Sequence, residues 1–302
     1  MKIQDICNLA EQKGCKVLQN KKLKEYTSFK IGGACPAIIE VNSSDSFGSL
    51  IKACVDNDIK YLVIGKGSNM LCDDKGFGGI VFHVGNDFSE IKLHENGVIE
   101  VEAGCSLIKL CKFALDNSLT GLEFAYGIPG TVGGAIYMNA GAYGGEIKDV
   151  LQSAEFIDLN GEASTYLIDQ MNLSYRHSIF QSNNYIITKG IFQLKKGNKA
   201  DIEAKMADLM NRRKTKQPLE YPNAGSTFKR PEGQFAGKLI QDCGLKGYTF
   251  GGAMVSEKHS GFVINYDNAT SDDVKKVIEH VQKTVLDKTG YFLDCEVRII
   301  PY

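Results

Sequence analysis

Two glycine-rich stretches carry the residue types best suited to gripping a phosphate-bearing ligand. The first is Gly65-Lys66-Gly67-Ser68-Asn69. The second runs Gly127-Ile128-Pro129-Gly130-Thr131-Val132-Gly133-Gly134 and continues through Asn139-Ala140-Gly141-Ala142-Tyr143-Gly144-Gly145. Glycine lets backbone approach a ligand closely and adopt positive φ, and successive N–H groups in such loops form anion-binding nests. Ser68, Asn69 and Thr131 add side-chain donors. The familiar nucleotide motifs fail: Met70 stands where the dinucleotide fingerprint needs its third glycine, and Lys60 stands where a P-loop needs its first. Tight turns at sheet edges therefore remain an equal reading of the first loop. The second costs more chain entropy than a simple turn requires.

Other reactive side chains are less telling by themselves. Arg176, in Ser174-Tyr175-Arg176-His177-Ser178, reads as a surface group in a polar turn. Ser226, in Gly225-Ser226-Thr227-Phe228-Lys229, lacks a nucleophile elbow, so it reads as a local capping hydroxyl and not as a hydrolase serine. Glu296 reads as a solvated strand carboxylate. His83, His94, His177, His259 and His280 are scattered without metal-ligand spacing, and no metal is expected. The nine cysteines form no C-x-x-C pair, and most have apolar neighbours, as expected of reduced, buried thiols.

The elements that must position these groups follow from periodicity. Ile38–Val41 reads as a strand, and Ser43 or Ser44 caps a helix whose Phe47, Leu50, Ile51, Cys54 and Val55 share one face. Tyr61–Ile64 is a second strand that feeds the first glycine loop. Val98–Ala103 is a strand, and Ser106 caps a helix with Leu107, Leu110, Cys111, Ala114 and Leu115 inward. Strands are expected near Ser153–Leu159 and Tyr185–Leu194, and a helix over Asp201–Arg213, followed by a polar loop over Gln217–Gly233. Ser271 caps a long helix stopped at Gly290, and alternation predicts a last strand over Tyr291–Ile300. The class is α+β, with boundaries near residues 85 and 196.

The chain has 302 residues, room for two or three domains, and a formal net charge of −1. That charge gives no electrostatic case for a nucleic-acid partner. The N-terminus has no long apolar core and no stretch approaches membrane-spanning length, so a cytoplasmic protein without membrane insertion is expected.

Taken in order, these segments resemble a family. Thr27–Gly33, the Gly65–Asn69 loop, Gly127–Gly134 and Asn139–Gly145 look like the FAD-binding half of UDP-N-acetylenolpyruvoylglucosamine reductases. Ser174–Ser178, Gly225–Pro231, Gly251–Phe262 and Glu296-Val297-Arg298 look like their catalytic and substrate half. The resemblance runs from about residue 25 to the C-terminus and is to the shorter type, since little room lies between Tyr175 and Gly225 for an extra substrate-covering loop. It implies a two-part FAD-binding domain of the vanillyl-alcohol-oxidase type (1–85 and 86–195) and an α+β substrate-binding domain (196–302). FAD is expected on Gly65, Lys66, Gly67, Ser68, Asn69, Gly127, Ile128, Pro129, Gly130, Thr131, Gly133, Gly134, Asn139 and Gly141. NADPH would reduce the flavin. Hydride would then pass to the vinyl carbon C3 of UDP-N-acetylglucosamine enolpyruvate, giving UDP-N-acetylmuramate for peptidoglycan synthesis. Ser226 would protonate C2, while Arg176 and Glu296 would stabilise the developing enolate, Glu296 either protonated or acting through a water. Tyr175, Lys229 and Lys246 are the expected substrate contacts, with Lys258 a further candidate, and the protein is expected to be a monomer.

The chain departs from the family pattern at Arg230, where Asn is usual. The alternative reading is a flavin-dependent oxidase on the same fold. Many such oxidases attach flavin through a His in or near the glycine loops, and neither loop here contains one.

Overall fold

A computed structural model describes all 302 residues, which cluster into two compact units. The first comprises Met1–Gln19, Ala37–Lys66 and Gly79–Arg212; the second comprises Asn20–Pro36, Gly67–Gly78 and Arg213–Tyr302.

In the first unit, strands over Ala34–Glu40 and Tyr61–Ile64 flank Ile80–His83, and both pair with it in parallel. Parallel strands need crossover connections, and the helix Ser44–Asp56 carries the chain from Ala34–Glu40 to Tyr61–Ile64 on the far side of Ile80–His83. Ser43 is the cap of that helix, its side chain accepting the Ser46 N–H, and Phe47, Leu50, Ile51 and Cys54 are buried. A second, antiparallel sheet has the order Ala163–Leu167, Leu151–Ile157, Ile186–Gln193, Val98–Glu102, Ile91–Leu93. The helix Leu107–Asp116, capped by Ser106, buries Leu107, Leu110, Cys111 and Ala114. The short helix Val132–Tyr137 packs against Ile186–Gln193. The expected Asp201–Arg213 helix runs over Lys199–Lys216 and buries Ile202, Met206 and Leu209.

The second unit centres on the helix Ser271–Thr289. It packs on a three-stranded antiparallel sheet, Thr249–Phe250, Ala253–Val255 and Val263–Asn265. Val274, Val277, Ile278, Val281 and Val285 face that core, and Gly290 ends the helix in the left-handed conformation, φ 76°. Its cap is Thr270, which accepts the Asp273 N–H and is bonded in return by the Asp273 carboxylate; Ser271, the expected cap, is the buried first residue.

Two N-terminal segments are built into this unit. Phe29, Ile31 and Leu71 belong to its core. Met70–Cys72 pairs in parallel with Arg298–Ile300, Asn265 Nδ2 donates to Phe29 O at 3.1 Å, and Ser28 Oγ donates to Asn223 O at 2.6 Å. The last strand is accordingly shorter than alternation predicts. It spans Arg298–Ile300, where Met70–Cys72 offers pairing, and Ile299 faces solvent while Ile300 is buried.

No helix is long and apolar enough to cross a membrane. No disulfide joins the nine cysteines, and eight of them are buried.

Candidate active site

The glycine loops divide their work differently from the sequence expectation. Gly65 backs directly onto Thr131: a Cβ at residue 65 would stand 2.4 Å from Thr131 Oγ1. Thr131 is also the cap of Val132–Tyr137, accepting the Gly134 N–H at 3.4 Å. The Val132 N–H goes to Cys105 O at 2.8 Å and the Gly133 N–H to Ala103 O at 2.9 Å. The start of this helix is therefore filled by the chain itself, and Gly133 is small because a Cβ there would meet Ala103 Cβ at 2.8 Å. Upstream, Gly127 takes φ 98°, Ile128 N–H bonds Ala125 O and Gly130 N–H bonds Ile128 O, so Gly127–Gly130, with Pro129, is a run of tight turns.

The first loop, by contrast, keeps donors in hand. No acceptor in the chain takes the backbone N–H of Gly67 or Ser68, and Gly67 is left-handed at φ 54°. Those are the features of an anion nest, and they are the observation on which these residues fit a dinucleotide phosphate. Lys66 is exposed beside them. Asn69 turns elsewhere: its Nδ2 donates to Glu296 O at 3.2 Å, and its carbonyl accepts the Arg298 N–H at 3.0 Å.

Arg176 does not sit as a plain surface group. Its backbone is left-handed, φ 56°, in a turn closed by Ser174 and His177. The half-buried guanidinium donates to Gly141 O at 3.4 Å and lies 5.0 Å over the Tyr175 ring, itself exposed. Gln181 Nε2 holds the Arg176 carbonyl at 3.2 Å and Tyr137 O at 2.7 Å, and the buried Ser178 hydroxyl donates to the same Tyr137 O at 2.7 Å. Asn139, a candidate cofactor contact by sequence, has a fully buried side chain bonded to Glu146, Ser174 and Lys148.

Ser226 and Glu296 lie together in the second unit. Gly225, left-handed at φ 78° with its N–H on Asn223 Oδ1, presents Ser226 on a turn. The next residue, Thr227, is almost wholly buried and anchored three ways. Its N–H donates to Gly261 O at 2.8 Å, its hydroxyl oxygen accepts the Val263 N–H at 2.9 Å, and its carbonyl accepts the Glu296 N–H at 2.8 Å. The last bond ties the segment carrying Ser226 to the one carrying Glu296, whose Oε2 is buried. Phe228 bridges to Cys295, and Lys229 N–H bonds Asp294 O at 2.8 Å, extending the same pairing.

The Gly251–Phe262 motif supplies the support beneath. The buried Ser256 hydroxyl accepts the N–H groups of Lys258 and His259, and His259 Nδ1 accepts the Gly261 N–H at 3.1 Å, which fixes the carbonyl that Thr227 needs. Burial lowers the pKa of His259, and the charge of Lys246 adds to that, against a backbone hydrogen bond that raises it. Lys246 is exposed, and Lys258 pairs with Glu220 at 3.1 Å. Sequence reasoning missed Thr227 and Ser256, whose anchoring roles come from burial and hydrogen bonding that no local pattern announces. Arg230 lies over the Phe235 ring at 5.5 Å.

Comparison with known proteins first sets the class. A family model for an FAD binding domain matches residues 35–166, the span holding both glycine loops, which defines an FAD-binding flavoprotein. A second, described as UDP-N-acetylenolpyruvoylglucosamine reductase, C-terminal domain, matches residues 217–300, the span holding Ser226 and Glu296. The reductase of that name from Clostridium novyi is 48% identical over 94% of this chain and 92% of its own; that from Lachnoclostridium phytofermentans is 45% identical over 99% and 96%. The crystal structure of UDP-N-acetylenolpyruvylglucosamine reductase from Thermus caldophilus superposes with a TM-score of 0.80 at 32% identity, covering 95% of this chain and 99% of that one. The chain belongs to the UDP-N-acetylenolpyruvoylglucosamine reductase family, oxidoreductases of peptidoglycan precursor synthesis.

Proposed function

We propose that this chain carries out the NADPH-dependent reduction of UDP-N-acetylglucosamine enolpyruvate to UDP-N-acetylmuramate, as a cytoplasmic monomer. In this reading residues 1–85 and 86–195 supply the two parts of the flavin-binding half and 196–302 the substrate half, except that Asn20–Pro36 and Gly67–Gly78 cluster with residues 213–302 in the second unit. FAD, when bound, supplies the hydride chemistry. The nest at Gly67 and Ser68 supports phosphate binding there, while Gly65 and Gly133 keep backbone within the first unit close-packed.

The observation that carries the proposal is the hydrogen bond from Glu296 N–H to Thr227 O, which holds Ser226 and Glu296 on adjoining segments. Ser226 delivers the proton to C2 of the substrate. A hydroxyl is a weak acid, but a carbon bearing enolate charge is a strong base, and transfer requires only that the oxygen be held at roughly 2.6–3.2 Å. Arg176 holds the substrate carboxylate, where charge grows during reduction, so a fixed guanidinium acts more strongly in the transition state than in the ground state. Glu296 shares in stabilising that charge. Tyr175, Lys229 and Lys246 are assigned to substrate contact, with Lys258 a further candidate.

The test separates two half-reactions under anaerobic conditions. NADPH should bleach the flavin of a Ser226→Ala protein at the normal rate, and addition of the enolpyruvyl substrate should fail to restore colour. Reoxidation at the normal rate would remove Ser226 as donor. Restoration of colour by air and not by the enolpyruvyl substrate, in the unaltered protein, would favour the oxidase reading.

A further inference from the structure

Asn139 and Glu146 form a connected group with the Arg176 turn, all within the first unit. Asn139 is completely buried and left-handed at φ 41°. Its Nδ2 donates to Glu146 Oε2 at 3.0 Å and to Ser174 O at 3.0 Å, and its Oδ1 accepts the Lys148 N–H at 3.0 Å. Both amide hydrogens are therefore engaged within the chain, and the side chain has no donor to offer a cofactor. Its partners are specific. Ser174 and His177 close the turn that carries Arg176, each donating its N–H to the other's carbonyl at 3.2 Å. Glu146 pairs across a two-residue hairpin with Gly141, whose carbonyl receives the Arg176 guanidinium. The Glu146 carboxyl is held below its ordinary range, first by the Lys148 ammonium, then by the Asn139 amide, with the Arg176 charge adding to both.

Arginine does not favour φ 56°, and a residue in that region persists only where its surroundings over-determine it. From the buried amide bridging Glu146 to the Arg176 turn, we propose that Asn139 and Glu146 are positioning residues that set the place and direction of the Arg176 guanidinium. Asn139 fixes the turn through Ser174, while Glu146 fixes the hairpin edge that the guanidinium binds and adds a negative charge that the guanidinium feels. This rests on the assignment of Arg176 to the substrate carboxylate.

The experiment uses the FAD-loaded protein and compares Asn139→Gly, Glu146→Gln, Arg176→Ala and the Asn139→Gly/Arg176→Ala double variant. Glycine keeps the left-handed backbone and deletes the amide; glutamine keeps the acceptor for Asn139 and deletes the charge. Asn139→Gly should keep the normal flavin-to-protein ratio and the normal rate of bleaching by NADPH, and reoxidise with the enolpyruvyl substrate roughly 10- to 100-fold more slowly. Glu146→Gln should show the same split, with reoxidation slowed roughly tenfold. In the Arg176→Ala background, Asn139→Gly should add less than about a threefold further effect, because the two act through one group. Equal slowing in both backgrounds, lost flavin, or normal reoxidation in either single variant overturns the proposal. If Arg176→Ala itself reoxidises normally, the assignment of Arg176 falls; if it is slow while both positioning variants are normal, only the positioning role does.

Discussion

Replacing Thr227 by Val tests how the donor turn is held. The two side chains have nearly the same shape, so packing is conserved, and the change removes the oxygen that accepts the Val263 N–H at 2.9 Å. Thr227 and Val263 are each only 1% exposed, so no water replaces that acceptor. Stranding a buried N–H costs about 1–3 kcal/mol. The methyl group gained in its place offsets part of this, leaving an expected loss of about 1–2 kcal/mol. Urea unfolding should show it as a lower midpoint at unchanged slope. Thr227 also spaces Ser226 from Glu296 through its carbonyl, so flavin reoxidation by the enolpyruvyl substrate should slow roughly tenfold while bleaching by NADPH keeps its rate. Thr227→Ser restores the oxygen and should recover most of both losses. A Thr227→Val protein with the original midpoint would show that the Val263 bond does not hold this turn.

A methyl group at Gly65 collides with the Thr131 side chain, so Thr131 or the backbone must shift; Gly65→Ala should cost about 1–3 kcal/mol and lower the flavin-to-protein ratio after gel filtration. His259 is held below its ordinary value near 6.5, chiefly by burial, so the folded state favours the neutral ring. That contribution is fully present above pH 6.5 and is lost as the pH falls from there through the lower folded value; a His259→Asn protein should show a flatter fall in unfolding free energy over the same window. Burial pushes Cys54 and Cys72 up to about 12 and Cys35 and Cys105 up to about 11, so at pH 8 a disulfide reagent should titrate at most the half-buried Cys295 in the native protein and all nine thiols in denaturant.

What could be read from the sequence was local. The Ser44–Asp56 and Leu107–Asp116 helices announce themselves by period and by the serine before them. The long C-terminal helix was equally plain, although its cap is Thr270, visible as a Thr three residues before Asp273. The last strand was overdrawn because alternation reports which side chains alternate, not where a partner strand is available, and its partner Met70–Cys72 lies more than two hundred residues away in the chain. The destination of Thr27–Gly33 in the second unit was hidden for the same reason. The local sequence of Arg176 and Ser226 reads as a polar turn and a capping hydroxyl, and only the family resemblance implies roles for them. The left-handed backbone of Arg176 had no signal, since the residue type does not favour it. The glycine density of Gly127–Gly134 suggested donors for a ligand, whereas Gly133 is a glycine because Ala103 leaves no room.

The second unit is assembled from both ends of the chain, and this bears on how the protein comes to be made. During synthesis, Phe29, Ile31 and Leu71 leave the ribosome long before Val255, Val274 or Leu293, the side chains that will cover them. Contacts so distant in sequence close late and slowly, with apolar surface exposed in the interval. Residues 213–302 expressed alone would lack Phe29, Ile31, Leu71 and the Met70–Cys72 strand, leaving Arg298–Ile300 as an unpaired edge. The smallest fragment able to complete this core therefore carries the early segments as well, and a cut after residue 212 yields an aggregation-prone piece instead of an isolated domain.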